Sequence, residues 1–419
     1  MRKPRPELNV LVGDDPRTGQ PVRYGFERGL VTIAPPGSGK TQCHILPNLL
    51  TWQWPAIVLD VTGELWAETS EWRSRNVGPV YKIDLDHPDE SDHYNPFDFI
   101  RRDLDHVWGD AQTFAALLYT RQSVSNDGGS FYDLASQQYL AALACFTALY
   151  HDAPERNFDT LLSYVSGTTL EGFTAEAATK REVPGLVNAA AALRRADDRT
   201  KGNVIWTARN CLSPWEDPQT AKISRISDWH PDTIRGQKAT LYICLSLEKL
   251  ATHPGLIRLL VGQHLRAFMR KRVARNAPWV QFFLDETPQL RNLDVLVQAI
   301  EAGRNYNLRV WMVMQWKGQL EQAYGEKTAN GMIAACGLQA YLNPSLVDGL
   351  AEQVSNQIGF DEAIELGQMQ RRPKKTPQTL AGPDHEEDVI AFSHGEVHYL
   401  RKHFYHDDAA LLKRRGKSD

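Results

Sequence analysis

The chain of 419 residues has few cysteines and lacks any apolar run long enough to cross a membrane. The cysteines are Cys43, Cys145, Cys211, Cys244 and Cys336. Because they are scattered and form no CxxC pair, they exclude a disulfide framework and a cysteine zinc site, and they favour a reducing cytoplasm. Residues 41–59 and 134–150 contain no charged side chain apart from a histidine, but they fall short of the roughly 20 apolar residues of a span. The N-terminus has no apolar segment of the signal-peptide type.

A strong net charge is also missing. The formal charge is -4 and the pI is near 6.4, so any contact with nucleic acid must be a local patch. The basic clusters are Arg194–Arg195 and residues 270–275, 371–375 and 413–417. We interpret them as solvated faces or tails, because charge runs usually are.

What is present is an alternation of short apolar runs with helical periodicity. The predicted strands are residues 30–33, 56–59, 80–84, 239–247, 279–284, 308–314 and 338–342. This alternation predicts an α/β fold with a mostly parallel sheet that is covered on both faces. From about residue 103 to 214 the pattern is helical only, which predicts an all-helical insertion. A closing pair of strands is expected to turn near His394-Gly395, and residues 369–388 are expected to form a mobile loop.

The segment APPGSGKTQ, residues 34–42, joins a predicted strand to a predicted helix. It fits the phosphate-loop pattern except at Ala34, where the first glycine would stand. Glycines let backbone N–H groups approach phosphates, a lysine reaches the β and γ oxygens, and a threonine hydroxyl ligates Mg²⁺. The alternative is a glycine turn with a solvated lysine, but the strand–loop–helix context favours a nucleotide site. The predicted binding residues are Pro36, Gly37, Ser38, Gly39, Lys40, Thr41 and Gln42.

Two carboxylates follow the predicted strand at residues 279–284. Asp285 is placed to hold Mg²⁺ together with Thr41, and Glu286 is placed to polarise the attacking water as general base. The alternative is an acidic strand end at the surface. A protein that only holds a nucleotide does not need Glu286, so we predict hydrolysis.

Two polar residues flank the strand at residues 308–314. Gln315 follows its end, where the side chain either senses a γ-phosphate or caps the backbone. Arg304 precedes it at a helix end, where the helix dipole alone favours a cation. The sharper hypothesis for Arg304 is an arginine finger that reaches the γ-phosphate of the next subunit.

Four histidines crowd the C-terminal segment: His394, His398, His403 and His406. Two of them share a strand face because their separation is even. Without cysteines or paired carboxylates at ligand spacing, we expect solvated side chains rather than a metal site.

Taken together, these segments resemble the type IV coupling proteins, the TraG/TraD family of ATPases that feed DNA or protein into conjugative and type IV secretion channels. The similar segments run in family order from about residue 22 to 408. They are APPGSGKTQCHILPNLL, AIVLDVTGELW, YNPFDFI, FYDLASQQYLAAL, GNVIWTARNCLSPWEDP, FFLDETPQL, AGRNYNLRVWMVMQWKGQLEQAYG, VSNQIG and GEVHYLRKHFYHD.

The resemblance implies a RecA-like P-loop NTPase domain formed by residues 1–100 and 225–419, with residues 101–224 as the all-alpha domain that helps select cargo. It implies ATP and Mg²⁺ as cofactors, a six-fold ring with ATP at subunit interfaces, and a central channel for single-stranded DNA. Relaxase or effector proteins and the secretion channel are the implied partners. It also supports catalytic roles for Arg304 and Gln315.

The chain departs from the family in three respects, one of which is the acidic net charge, which does not indicate DNA binding. The family usually carries N-terminal transmembrane helices, so we expect a soluble, cytoplasmic form that reaches the inner membrane through partners. Thr62 stands where the family commonly has lysine, which leaves the role of residues 60–64 open. Two alternative functions remain: a DNA pump of the FtsK/HerA kind, and a nucleotide-gated adaptor that recruits cargo with little turnover.

Overall fold

The computed structural model describes residues 4–119, 129–166, 170–365 and 368–415. Eleven of the thirteen strands in these residues form one sheet, and the other two form a separate hairpin. The strands are β1 Val10–Asp14, β2 Pro21–Tyr24, β3 Leu30–Ile33, β4 Ala56–Asp60, β5 Val80–Asp84, β6 Thr240–Cys244, β7 Val280–Leu284, β8 Leu308–Met314, β9 Leu338–Leu342, β10 Phe360–Glu365, β11 Gln368–Pro373, β12 Asp388–Ser393 and β13 Glu396–Arg401.

Helices connect most of these strands. The described α-helices are α1 Leu46–Leu49, α2 Glu64–Asn76, α3 Val107–Leu118, α4 Gly129–Tyr150, α5 Phe158–Val165, α6 Leu170–Ala177, α7 Pro184–Arg195, α8 Asp198–Leu212, α9 Pro218–Ile223, α10 Pro231–Gln237, α11 Leu247–Thr252, α12 Pro254–Met269, α13 Asp294–Ala302, α14 Lys317–Tyr324, α15 Glu326–Ala335, α16 Leu350–Ile358, α17 Pro377–Leu380 and α18 Ala409–Arg415. A π-helical turn, Thr41–Ile45, precedes α1.

The order of strands across the sheet is β2-β1-β13-β12-β9-β3-β8-β7-β4-β6-β5. From β9 to β5 all neighbours are parallel, and from β9 to β2 they are antiparallel. Strands β3, β4, β6, β7 and β8 are buried along their whole length, because helices cover both faces. The carboxyl ends of β3, β8, β7 and β4 therefore lie side by side at one edge, where ligands bind in open α/β sheets.

Alternate residues of each central strand enter two separate cores. On β3, Val31 and Ile33 belong to the larger core, which includes α3, α4 and α12, while Leu30 belongs to the smaller core beneath α1 and α2. The buried Arg258 of α12 donates from Nε to the carbonyl oxygen of Leu117 at 2.9 Å. The helices that lie between β5 and β6 in sequence thus share the larger core with the sheet, and α3 contacts α12 directly.

The structure confirms the α/β class, the predicted strands, the helical stretch and the turn at His394-Gly395. Within the described residues between Asp84 and Thr240 there is no strand. The domain boundaries at residues 100 and 225 stay a prediction. The expectation of a loop at residues 369–388 is wrong, since β11 pairs with β10 and α17 follows.

The N-terminal strands β1 and β2 are additional to the prediction. The basic tail at residues 413–417 is described only as far as Arg415, and its last two residues lie outside the described ranges. Across the described ranges, none of the helices combines the length and the apolar character that crossing a membrane requires.

Candidate active site

The loop between β3 and the first helix adopts a conformation that depends on its glycines. Gly37 and Gly39 have φ angles of 75° and 84°, a region that glycine enters without steric cost. Between them Ser38 turns inward, and both its N–H and its Oγ–H donate to the carbonyl oxygen of Pro35, at 3.2 and 2.6 Å. The helix begins at Thr41, so the predicted strand–loop–helix unit is present.

A buried network of hydrogen bonds holds the start of this helix. The indole N–H of Trp311 donates to Thr32 Oγ1 at 3.0 Å, and Thr32 Oγ1 lies 3.0 Å from His44 Nδ1. His44 Nε2 lies 2.9 Å from the carbonyl oxygen of Val12. Burial lowers the pKa of His44 to about 4, so the ring is neutral and donates to Val12. These hydrogen bonds tie the helix to β1, β3 and β8, a role of His44 that no local sequence pattern predicts.

Asp285 follows β7 and is buried at the same edge of the sheet. Burial and, to a smaller extent, the neighbouring carboxylates Glu286 and Asp60 raise the pKa of its carboxyl group to about 6, against the opposing effect of Lys40. Its Oδ1 atom is buried and has no hydrogen-bond partner among the described residues. A buried carboxylate oxygen without a partner destabilises the folded protein unless a hydrogen-bond donor or a cation binds to it.

Glu286 is held between a cation and an amide. Its Oε1 atom lies 3.6 Å from Lys40 Nζ and accepts a hydrogen bond of 2.8 Å from Gln315 Nε2. Glu286 itself adopts a left-handed conformation with φ 59° and ψ 48°, which is uncommon outside glycine and clusters at functional sites. The structure therefore brings Lys40, Asp285, Glu286 and Gln315 together, from three strand ends that lie far apart in sequence.

The segment after β4 closes the site on its other side. Asp60 is buried, which raises the pKa of its carboxyl group, and its Oδ2 accepts from the backbone N–H of Trp66 at 2.8 Å. Gln42, the residue after Thr41, donates from Nε2 to Glu64. Residues 60–64, whose role the sequence left open, thus join the phosphate loop to α2. The signal for Asp60 was available, because it ends an apolar strand just as Asp285 follows one.

Arg304 lies elsewhere. It occupies the 3₁₀ turn Gly303–Tyr306 before β8, at the amino end of the sheet, and it is exposed. The seven residues of β8 place it roughly 23 Å from the strand ends that carry Gln315. Among the described residues it has no hydrogen bond or ion pair, and it lines a cavity of about 680 Å³ with Arg28 and Arg275. The structure does not bring Arg304 to the site of its own chain.

Among the C-terminal histidines, His403 differs from the expectation of a solvated side chain, whereas the other three are exposed or partly exposed: His394, His398 and His406. His403 Nδ1 lies 2.9 Å from the Asp14 carboxylate and Nε2 lies 3.2 Å from Asp408, with 14% of its side chain exposed. His394 packs on the ring of Phe26 at a centroid distance of 3.9 Å. The described residues contain no group of three or more histidine, cysteine, aspartate or glutamate side chains that could hold a metal ion.

A parallel sheet, a glycine loop with lysine and threonine after one strand, and acidic residues after its neighbours define a P-loop NTPase fold. The sequence matches the family described as "Type IV secretory system Conjugative DNA transfer" over residues 14–378. Because this match covers most of the chain, the chain belongs to that family, as the resemblance indicated.

Curated relatives agree with this assignment. The chain is 24% identical to the conjugal transfer protein TraG of Escherichia coli, over 92% of this chain and 68% of the relative. It is also 24% identical to the protein VirD4 of Agrobacterium fabrum, over 94% of this chain and 61% of the relative. The chain thus spans about two thirds or less of the length of these relatives.

Solved structures match the fold. The unbound monoclinic form of the bacterial conjugative coupling protein TrwBdeltaN70 has a TM-score of 0.73 at 16% identity, covering 96% of this chain and 90% of that one. VirB4 of Thermoanaerobacter pseudethanolicus has a TM-score of 0.57 at 11% identity, covering 98% and 100%. The predicted RecA-like P-loop NTPase fold is confirmed, and the roles of individual site residues stay predictions.

Proposed function

We propose that this chain is an ATP-driven motor that passes cargo into a type IV secretion or conjugation channel. The observation that carries the proposal is the assembly of Lys40, Glu286 and Gln315 beside the phosphate loop. A general base with a lysine and an amide in contact suits hydrolysis rather than nucleotide storage alone. This favours a motor over the alternative of a nucleotide-gated adaptor with little turnover.

The residues at the carboxyl end of the sheet fit ATP and Mg²⁺. A Cβ atom at Gly37 would meet nothing within 4 Å, so the loop backbone is open to a ligand. Pro36 to Gln42 would hold the phosphates, and the Thr41 hydroxyl and Asp285 would hold the cation. The unpartnered Oδ1 of Asp285 supports that assignment, since a hydrated cation would satisfy it. TrwB, which shares the fold, is described in a complex with ADP and Mg²⁺.

The contact between Lys40 and Glu286 suggests how the site responds to a ligand. Lys40 is placed to turn from the Glu286 carboxylate to a bound phosphate, which leaves Gln315 as the hydrogen-bond partner of Glu286. Glu286 is then free to accept a proton from the attacking water. Mg²⁺, when bound, supplies charge neutralisation at the phosphate oxygens. Gln315 keeps the carboxylate oriented and is placed to sense the γ-phosphate.

The position of Arg304 supports a role between subunits. A cation at the amino end of the sheet lies too far away to serve its own site, but in a ring it would be placed to serve a neighbour if this surface forms the contact between subunits. We therefore assign Arg304 as the arginine finger of the next subunit's site in a homo-hexamer. The exposed guanidinium, which has no partner among the described residues, is available for that contact.

The family suggests the cargo and the partners. We assign a single-stranded DNA–relaxase complex, a protein effector or both as cargo, with residues 101–224 as the all-alpha selecting domain. Secretion-channel components at the inner membrane are the expected docking partners. An FtsK/HerA-like pump for double-stranded DNA is the second candidate among motors.

The test uses Lys40→Ala, with Lys327→Ala as a control at an exposed lysine. The site predicts weak nucleotide binding and no turnover in Lys40→Ala, and unchanged values in the control. ATP hydrolysis is then measured with single-stranded and with double-stranded DNA. Stimulation by the single strand supports the coupling motor, and stimulation by the duplex alone supports the pump. Turnover that stays near zero under all conditions supports the adaptor, and normal turnover in Lys40→Ala contradicts the site itself.

A further inference from the structure

The C-terminal segment returns to the phosphate loop. The ring of Phe404 lies against Gly39, so closely that a Cβ atom added there would be 2.8 Å from Phe404 Cε1 and 3.4 Å from Cζ. The ring of Phe404 therefore fills the space beside the loop that a side chain at position 39 would need. Phe404 stacks with His406 at a centroid distance of 5.2 Å and an interplanar angle of 22°.

This aromatic pair is held in place from both sides. Before it, His403 is fixed between Asp14 and Asp408. After it, α18 is fixed to α2 by the ion pair of Arg415 with Glu68 and by the guanidinium of Arg414 over the ring of Trp72. The backbone on either side of the two rings is therefore anchored by other residues, which keeps this segment beside the loop.

The pair is not simply part of the core. The residue between them, Tyr405, is buried, whereas Phe404 is only half-buried and His406 has 51% of its side chain exposed. These rings are partly exposed, they stack on each other, and their segment is anchored next to the phosphate loop. Such rings can bind a flat ligand, because every nucleic-acid base can stack on an aromatic ring.

We propose that Phe404 and His406 form the platform on which the base of the bound nucleoside triphosphate stacks. This inference rests on the proposed nucleotide site: the phosphates would occupy the loop at residues 36–42, and the base would lie over the adjoining rings. Because every base has an aromatic face that can stack, the platform should contribute equally to the binding of ATP and of GTP.

The test compares a ligand with a base and a ligand without one. Dissociation constants of the full chain are measured by calorimetry for ATP, GTP and inorganic tripolyphosphate, each with Mg²⁺. Phe404→Leu keeps an apolar side chain against Gly39, His406→Ala removes the outer ring, and Phe360→Leu is the control at an exposed phenylalanine on β10. Phe404→Leu should weaken ATP and GTP binding by about 5- to 100-fold while leaving tripolyphosphate unchanged. In turnover, KM for ATP should rise while kcat stays near that of the parent chain.

Two outcomes overturn the platform. Equal weakening of ATP and tripolyphosphate would show that Phe404 only shapes the loop, and unchanged ATP binding in both variants would show that the base lies elsewhere. If Phe404→Leu does not fold, Phe404→Trp, which should retain or tighten ATP binding, and the exposed His406→Ala still decide. Failure of the nucleotide site itself has a separate signature, because Lys40→Ala would then leave the binding of all three ligands unchanged.

Discussion

The two ends of the parallel sheet contrast sharply. At the carboxyl end Lys40 faces Glu286, Gln315 donates to the same carboxylate, and Asp285 is buried beside them. At the amino end Arg304 is exposed and has no carboxylate partner among the described residues. One end is thus an assembled site in which charged and polar side chains contact each other, and at the other end the Arg304 guanidinium has no such contact among the described residues. We infer that one subunit binds the nucleotide by itself and needs a second copy for fast hydrolysis.

The largest expected effect on ATP hydrolysis comes from removing Arg304, which would act from the amino end of one subunit on the carboxyl-end site of the next. Arg304→Ala should bind ATP and assemble normally but hydrolyse about 10³–10⁵-fold more slowly, because an arginine finger contributes that much. Specific activity of the parent chain should also rise with protein concentration. Arg199→Ala, at an exposed arginine of α8, is the matched control and should be silent.

Mixing variants sharpens this result. In a mixture of Arg304→Ala and Glu286→Gln, some interfaces pair an intact Glu286 with an intact neighbouring Arg304, so activity should partly return. A mixture that stays inactive, together with activity that is independent of concentration, would mean that Arg304 is only a cation at a helix end. The amino end of the sheet would then take no part in ATP hydrolysis by a neighbouring subunit.

The next effect tests the carboxyl end alone. Glu286→Gln keeps the shape of the side chain and an oxygen for Gln315, but it is a far weaker proton acceptor. Hydrolysis should fall by about 10²–10⁴-fold, the usual contribution of a general base, while ATP and Mg²⁺ still bind. Calorimetry and steady-state turnover measure the two quantities, with Glu301→Gln as an exposed control. Parallel loss of binding and turnover would reassign Glu286 as a structural or cation-holding residue.

The smallest effect concerns the stability of the carboxyl end. The pKa of His44 is near 4 in the folded chain and about 6.5 when unfolded, so the unfolded chain binds more protons between these values. The free energy of unfolding should therefore fall as the pH drops from about 6.5 to 4, with His44 contributing on the order of 3 kcal/mol to that fall. Denaturant unfolding across this range measures it. His44→Gln should flatten the pH dependence and His398→Gln should not; equal slopes in both variants would contradict the assignment.

Much of the sheet could be predicted because its central strands are mostly apolar runs followed by polar residues. The run at residues 56–59 is buried on both faces, and the run at residues 308–314 is buried too although it contains Arg309, so no alternation of polarity was needed to find them. Asp285 and Glu286 were predicted because they follow such a run, and Lys40 because the glycine pattern after another run fits a phosphate loop. These residues lie close together because the strand order places β8 and β7 between β3 and β4. That order cannot be predicted from local sequence.

Other features escaped prediction because long-range contacts determine them. Strand β2 begins with proline and has mixed polarity, and it is a strand only because β1 pairs with it at the edge of the sheet. His403 is buried by carboxylates 389 and 5 residues away, so its neighbours in sequence suggested solvent instead. The left-handed conformation of Glu286 and the approach of Phe404 to Gly39 have no local signal either.

The pairing of β1 with β13 also has a consequence for biosynthesis. Asp14 lies opposite Arg401, so two strands that adjoin in the sheet are separated by most of the sequence. At roughly 5–20 residues per second, a ribosome needs about 20–80 s to make the intervening segment. During that time β1 and β2 have each other but not the rest of the sheet, and His403 has not yet met Asp14. The edge of β1 that pairs with β13 therefore stays unpaired until β13 has been synthesised, and the sheet cannot close before that point.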